Sequence, residues 1–437
     1  MKVLLPSLEY CEYTTTWDRV ATAGLEQLNL DAWAGGHRYL SLTAVCLTPG
    51  EAQQLHELTE RFSRLIDVAV NGLLEDRDWW SELAWPVAAV ELARQEPNHP
   101  HNMATLYGRF DCLLDQNGTW QIIEYNADTP SGGREATGLE PNIARRHNGT
   151  RRLTPRLARR LVATIHKRVT TYLRPVTAIG VVAPHSWLED IAQATWLADL
   201  LAQSGYQAFV GDVTDLAARG GRILLRGRPI DALYRFYPVE RLYRHAIFAD
   251  IAEASIDERL LSLNGLRGFL AQSKACLAWL WSNRCAFSLA DQAAIEQHLP
   301  VTLRARDPLA VELVPRSVVK HVNGREGDSV VFGSTLQPSQ WEARLIEGGY
   351  VVQRAVDSVP VCDVEVDDVR RAVQVVSPRY ACVGAFSIGG QFAGCYTRLD
   401  GPITSARATY AATLVDPSAP PSGRRRSASV ARDDAVR

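Results

Sequence analysis

The chain of 437 residues is long enough for two or three domains and a sizeable core. Its apolar fraction of 46%, charged fraction of 22% and formal net charge of −2 are ordinary for a soluble globular protein, and they give bulk electrostatics no reason to recruit nucleic acid or an anionic membrane. No apolar run reaches the ~20 residues that span a bilayer. The opening MKVLLPSLEYCEY is broken by Pro6 and acidic soon after, which argues against a signal peptide.

The eight cysteines (Cys11, Cys46, Cys112, Cys276, Cys285, Cys362, Cys382, Cys395) form no CxxC and no metal-finger spacing, so we expect a reduced, cytoplasmic protein without a cysteine nucleophile. Basic residues are almost all Arg; the lysines are Lys2, Lys167, Lys274 and Lys320. In so Arg-rich a chain, a Lys in an apolar context points to a need for a compact ammonium, which marks Lys274 and Lys320 as phosphate-binding candidates.

Residues 1–100 read as mostly helical. From Glu51, the spacing of Leu55, Leu58, Phe62, Leu65, Ile66 and Val68 predicts an amphipathic helix, and Trp79, Trp80 and Trp85 beyond it read as packing. The segment Tyr107 to Ala136, YGRFDCLLDQNGTWQIIEYNADTPSGGREA, scans as a β-hairpin: a strand through Phe110–Leu114, a turn at Asp115-Gln116-Asn117-Gly118, and a strand from Trp120 to Tyr125. Arg109 and Asp111 share one face of the first strand, Glu124 and Asn126 one face of the second. Folded together they make either an oxygen-ligand set suited to Mg2+ and substrate phosphates, or a solvated face with a cross-strand ion pair. The loop Asp128-Thr129-Pro130-Ser131-Gly132-Gly133 follows, its glycines allowing a substrate close to the backbone. Helices are expected from about Arg134 and over Pro155 to Tyr172.

From Ala178 the pattern becomes strand (AIGVVA), helix (Ser186 to Gln203), strand (YQAFVGD), a βαβ-like unit with Pro184-His185-Ser186 where a dinucleotide fold would carry GxGxxG. GRILLRGRPIDALYRFYP adds a hairpin around Gly227 and a further strand. Leu266 to Cys285 reads as one helix containing Lys274. The strand SVVKHV places Lys320 just before Asn323-Gly324-Arg325-Glu326-Gly327-Asp328, and SVVFG completes a hairpin flap whose N–H groups suit phosphates. A helix (Pro338 to Glu347) and the strand YVVQRAV come next; Gln353 ends its apolar part and suits an adenine edge. Strands at Tyr380–Ile388 and Gln391–Arg398 follow, then a disordered Pro-Ser-Arg tail from about Asp416.

These motifs, GRFD…EYNADTP…EA, LYRFYPVE, the Lys of QSKACLAWLW, VVKHVNGREG and YVVQ, resemble in order the ATP-grasp synthetase domain of the glutathionylspermidine synthase family, over roughly Leu40 to Val415. The resemblance implies an α/β (α+β) ATP-grasp fold whose metal-ligand hairpin precedes the ATP lysines. It implies that Asp111, Glu124 and Asn126 hold Mg2+, that Arg109 contacts the transferred phosphoryl group, that Lys274 and Lys320 bind ATP phosphates, and that Arg325 faces the acyl phosphate or acid substrate. Arg398 of GCYTR matches a family Arg; Gly324 and Gly327 bound the flap. The expected parts are a helical N-terminal region with the hairpin (1–173), a βαβ pre-ATP-grasp-like unit (174–260), a nucleotide-binding part (261–415) and the tail (416–437). Ser131-Gly132, Val239 and His321 depart from the family on the substrate side, and the chain begins within the synthetase, so an amidase half is not expected. The resulting expectation is an ATP- and Mg2+-dependent ligase joining a small-molecule carboxylate to an amine, without nucleic acid or membrane; an ATP-binding protein without ligase activity and a structural α/β protein are the other readings.

Overall fold

A computed structural model describes residues 1–25, 32–34, 36–97, 103–325 and 327–419. Glu326 and the tail from residue 420, with its Arg424-Arg425-Arg426 run, lie outside the described residues. The hairpin forms as expected, with strands Tyr107–Leu114 and Trp120–Asn126. Its turn is closed by the Asp115 carboxylate, which accepts from the N–H groups of Asn117 and Thr119 at 2.9 Å each, while Gly118 takes the left-handed φ of +77° that the turn requires.

The hairpin is the edge of a nine-stranded sheet ordered Lys2–Leu4, Leu40–Leu47, Thr409–Val415, Gln391–Asp400, Ala372–Ile388, Tyr107–Leu114, Trp120–Asn126; Pro360–Asp367 pairs with Ala372–Ile388, and Arg151–Arg152 with Thr409–Val415. Lys2–Leu4 and Thr409–Val415, about 400 residues apart in sequence, therefore share one sheet. Residues 1–100 are mostly helical as expected, with helices Tyr10–Leu25, Pro49–Glu75 and Val87–Gln95, but that reading misses Leu40–Leu47, a wholly buried strand parallel to Thr409–Val415. Buried on both faces, LSLTAVCL lacks the alternation that announces a strand. The helix Pro49–Glu75 is present, opened by a Thr48/Glu51 capping box, and it buries Leu55, Leu58, Phe62, Leu65 and Ile66 against the sheet. Val68, read as part of that stripe, is instead exposed. Trp79, Trp80 and Trp85 are buried packing residues, Trp85 against Phe269.

The βαβ reading holds. Ala178–Val182, Gln207–Gly211 and Ala232–Arg235 are parallel, with Leu261–Ser262 outermost, in the order Leu261–Ser262, Ala232–Arg235, Ala178–Val182, Gln207–Gly211. A third, antiparallel sheet is ordered Thr302–Arg304, Tyr350–Arg354, Ser317–His321, Val331–Phe332, with the expected helix Pro338–Glu347 beside it. The single helix expected from Leu266 to Cys285 is two, Leu266–Gln272 and Lys274–Ser282, broken at Ser273 with ψ 131°. Beyond the break the Lys274 N–H donates to Val322 O at 2.9 Å, so the second helix starts at the flap and presents Lys274 there. Among the described residues no helix is long and apolar enough to cross a membrane.

Candidate active site

The two hairpin strands are antiparallel with Arg109 opposite Asn126 and Asp111 opposite Glu124; past that pair the register shifts, Cys112 facing Ile122. Ile123 is thus the extra residue of a bulge. The bulge turns the Ile123 carbonyl toward the third sheet, where Lys320 Nζ donates to it at 3.1 Å.

Asp111 is buried and held by cations on two sides. Arg109 donates Nε and Nη2 to its two oxygens at 2.7 and 3.1 Å, Arg398 Nη2 at 2.9 Å, and Asn126 Nδ2 at 3.1 Å. Burial pushes the Asp111 carboxyl up, but Arg109 and Arg398 more than offset it, and its pKa lies below the ordinary value. Arg109 also reaches the loop, Nη1 to Ser131 O at 2.8 Å, and lies 5.0 Å over the Tyr396 ring. Gly132, at φ +95°, packs so tightly on Tyr396 that a Cβ would lie 2.6 Å from the ring.

Glu124 belongs to a different cation. Lys274 Nζ donates to its Oε1 at 3.0 Å and to Gly324 O at 2.7 Å, tying helix, hairpin and flap together. Lys320 Nζ donates to Gln353 Oε1 at 2.7 Å, and Gln353 Nε2 to Thr302 Oγ1 at 3.0 Å. Both lysines are buried, and desolvation lowers the Lys320 pKa to about 8. Four cations (Arg109, Arg398, Lys274, Lys320) thus face two carboxylates, an excess of positive charge that suits a polyphosphate.

Structure therefore gathers Arg109, Asp111, Glu124, Asn126, Lys274, Lys320, Gln353, Gly324 and Arg398 at one place. It sets Gln353 behind Lys320 with both ends of its amide engaged. The flap closes turns on itself: Gly324 N donates to His321 O, Asp328 N to Arg325 O and Val330 N to Gly327 O, so these N–H groups serve the loop in this conformation. Gly327 packs on the Thr404 carbonyl at φ +74°. Arg325 joins a neighbouring cluster instead, donating Nε to Glu240 Oε1 at 2.8 Å, Nη1 to Thr129 Oγ1 at 2.9 Å and Nη2 to Asp128 Oδ2 at 3.1 Å.

Asp128 is the residue that sequence reasoning missed. Fully buried, it pairs with Arg235 and accepts from Val239 N at 3.0 Å, while Gln272 Oε1 accepts from the Ala127 and Asp128 N–H groups at 3.1 and 3.0 Å. This set clamps the Asp128–Gly133 loop between the parallel sheet and the helix that precedes Lys274. Its members lie in the quoted motifs, but no spacing rule links them.

Two carboxylates and an amide oxygen are hard-donor chemistry for Mg2+. Asp111 has both oxygens on arginines, whereas Glu124 Oε2 makes no hydrogen bond among the described residues. No group of three or more His, Cys, Asp or Glu suited to a metal occurs among those residues. The donors fit an ion that arrives with a triphosphate supplying further oxygens.

The antiparallel sheet that carries Lys320, the hairpin sheet that carries Asp111 and Glu124, and the parallel αβ unit alongside make up an ATP-grasp-type fold. Over residues 11–416 the chain matches the profile of the glutathionylspermidine synthase preATP-grasp family, and it belongs to that family. Membership supports an ATP-dependent ligase. It is similar in fold to a glutathione synthetase-like effector from Globodera pallida in its apo form (TM-score 0.60, 10% identity, covering 92% of this chain and 97% of that one). A putative gamma-glutamylcysteine synthetase from Methylobacillus flagellatus KT also aligns (TM-score 0.43, 11% identity, 84% and 88% covered). A search of curated proteins gives no match.

Proposed function

We propose that the protein is an ATP-dependent carboxylate–amine ligase working through an acyl phosphate. The observation that carries this reading is the meeting of Lys274 with Glu124, at 3.0 Å, beside the buried Asp111–Arg109–Arg398 group. Residues that suit phosphate and residues that suit a metal converge from a helix and from the hairpin sheet.

In this reading Asp111, Glu124 and Asn126 hold Mg2+, which when bound neutralises phosphate charge. Lys274 and Lys320 take ATP phosphates, and the Gly324–Gly327 flap covers them. A substrate carboxylate oxygen attacks the γ-phosphorus of ATP, the bond to the bridging oxygen breaks, and ADP leaves. Arg109 and Arg398 hold the charge that develops on the transferred group. An amine nitrogen then attacks the acyl carbon, inorganic phosphate leaves and the amine loses a proton. No side-chain nucleophile is needed. Arg325, facing Thr129 and Glu240 rather than Asp111, is a positioning residue that couples flap closure to the substrate-side loops. The parallel unit (174–260) carries part of the substrate side, the region 261–415 most of the nucleotide side, and a cytoplasmic role in small-molecule biosynthesis fits this chemistry.

The test is ADP release by the full chain with MgATP over a panel of acids and amines. Turnover that requires both an acid and an amine, with an amide as product, supports the reading. MgATP binding with no ADP from any mixture of the panel favours a nucleotide-binding protein without ligase activity.

A further inference from the structure

Residues 141–188 contain ten Lys and Arg and no Asp or Glu. At the chain's average composition a stretch of this length would hold about five of each sign. The other 389 residues carry 37 basic and 49 acidic side chains, so the near-neutral total conceals a strongly basic segment within an acidic protein.

The fold puts this charge outside. The helix Leu157–Thr171 buries Leu157, Leu161, Ile165 and Val169, which turns the opposite face to solvent. Arg156, Arg159 and Lys167 are exposed at that helix, spanning about 16 Å along its axis. Arg145, Arg146 and Arg151 are exposed in the approach to it. None of these six forms an ion pair among the described residues. By contrast Arg152 turns inward to Glu140 at 3.0 Å, and Arg160 to Phe392 O at 2.5 Å. Ordinary protein surfaces intersperse the two signs; an unbalanced field of this size attracts a polyanion.

We infer that this surface docks an acidic polypeptide. Along the face that carries these six cations, residues 145–171, there is no Phe, Tyr or Trp to stack on a base; farther along the segment, Trp187 has Arg241 over its ring at 4.2 Å. Between Arg145 and Thr171, where the six cations lie, no large apolar side chain is exposed to enter a bilayer; the exposed Leu173, Trp187 and Leu188 come later in the segment, beyond the helix. The chain's own end from residue 420 carries five Arg and two Asp and is repelled. Carboxylates match guanidinium forks in pairs. The surface is built onto the site: the segment continues from the Asp128–Gly133 loop, and Thr154 donates to Cys395 O at 3.1 Å on the strand that bears Arg398.

The probe is a fluorescein-labelled oligoglutamate of about 16 residues, titrated with the full chain and followed by anisotropy. Binding is expected to saturate at about 50 mM salt and to weaken at least about tenfold at about 200 mM. The triple variant Arg145→Glu, Arg156→Glu, Arg159→Glu should bind at least about tenfold more weakly while its melting temperature shift with MgATP is unchanged. Absence of saturable binding, or equal binding by the variant, overturns the proposal. So does tighter binding, at the same salt, of a single-stranded oligonucleotide of equal charge or of phosphatidylserine vesicles.

Discussion

Asp111 and Glu124 are direct partners across the hairpin, yet each answers to a different cationic system: Asp111 to Arg109 and Arg398, Glu124 to Lys274. The pair therefore lies on the seam between the central sheet and the helix and flap joined by Lys274. A cross-strand pair of like charges is unfavourable unless each has its own counter-charge, and here each does.

Removing either carboxylate should separate chemistry from folding. Glu124→Gln keeps the shape and one hydrogen bond to Lys274, so its melting temperature should stay near wild type while Mg2+-dependent ADP release falls by about 10²–10³. Asp111→Asn should lose activity to a similar degree and also stability, because two buried guanidinium groups lose their shared carboxylate. Wild-type turnover in both variants would remove these residues from the site.

Mg2+ alone should barely raise the melting temperature, because Asp111 is already neutralised by arginines. MgATP should raise it clearly, in line with about 2.7 kcal/mol at a hundredfold excess over Kd. A large shift from Mg2+ without nucleotide would contradict the shared-ligand picture.

Lys320 titrates near pH 8 because it is buried, against an ordinary 10.5. Between about pH 8 and 10.5 the unfolded chain holds a proton that the folded chain has released, so this group makes folding stability rise with pH across that window. ATP affinity should move the other way, weakening as pH passes 8 and the ammonium is lost. Lys320→Met should bind ATP weakly at every pH and lose the inflection near 8. An unchanged inflection in that variant assigns it to another group.

Gly132 and Gly118 both adopt left-handed φ, but only Gly132 has a ring against its Cα. Gly132→Ala should cost about 1–3 kcal/mol by denaturant melts and raise the KM for the acid, since Tyr396 shifts beneath Arg109. Gly118→Ala, with open space around it, should cost less and leave KM alone. Equal effects at the two positions would refute the contact's importance.

Arg235→Met leaves the buried Asp128 with only Arg325 as cationic partner and should destabilise by about 3–5 kcal/mol. Arg325→Ala leaves the Arg235 pair intact. It should instead speed proteolysis within residues 322–330, read by limited digestion, with little change in global melting.

Local chemistry in the sequence determined the hairpin, because Asn117-Gly118 sets the turn and a two-residue period puts Arg109 with Asp111 and Glu124 with Asn126 on shared faces. It also marked two lysines in an Arg-rich chain, and the parallel unit through its strand–helix–strand rhythm. Tertiary structure alone decided what those groups meet. Arg398 reaches Asp111 across 287 residues, and Lys274 reaches Glu124 across 150. The Asp128–Arg235 clamp spans 107. Periodicity reports which face a side chain takes; it carries no record of which distant face packs on it. The strand Leu40–Leu47 was hidden for the related reason that burial on both sides erases alternation, and Arg325 went to Glu240 and Thr129 because the flap folds toward the loop rather than the metal-type pair.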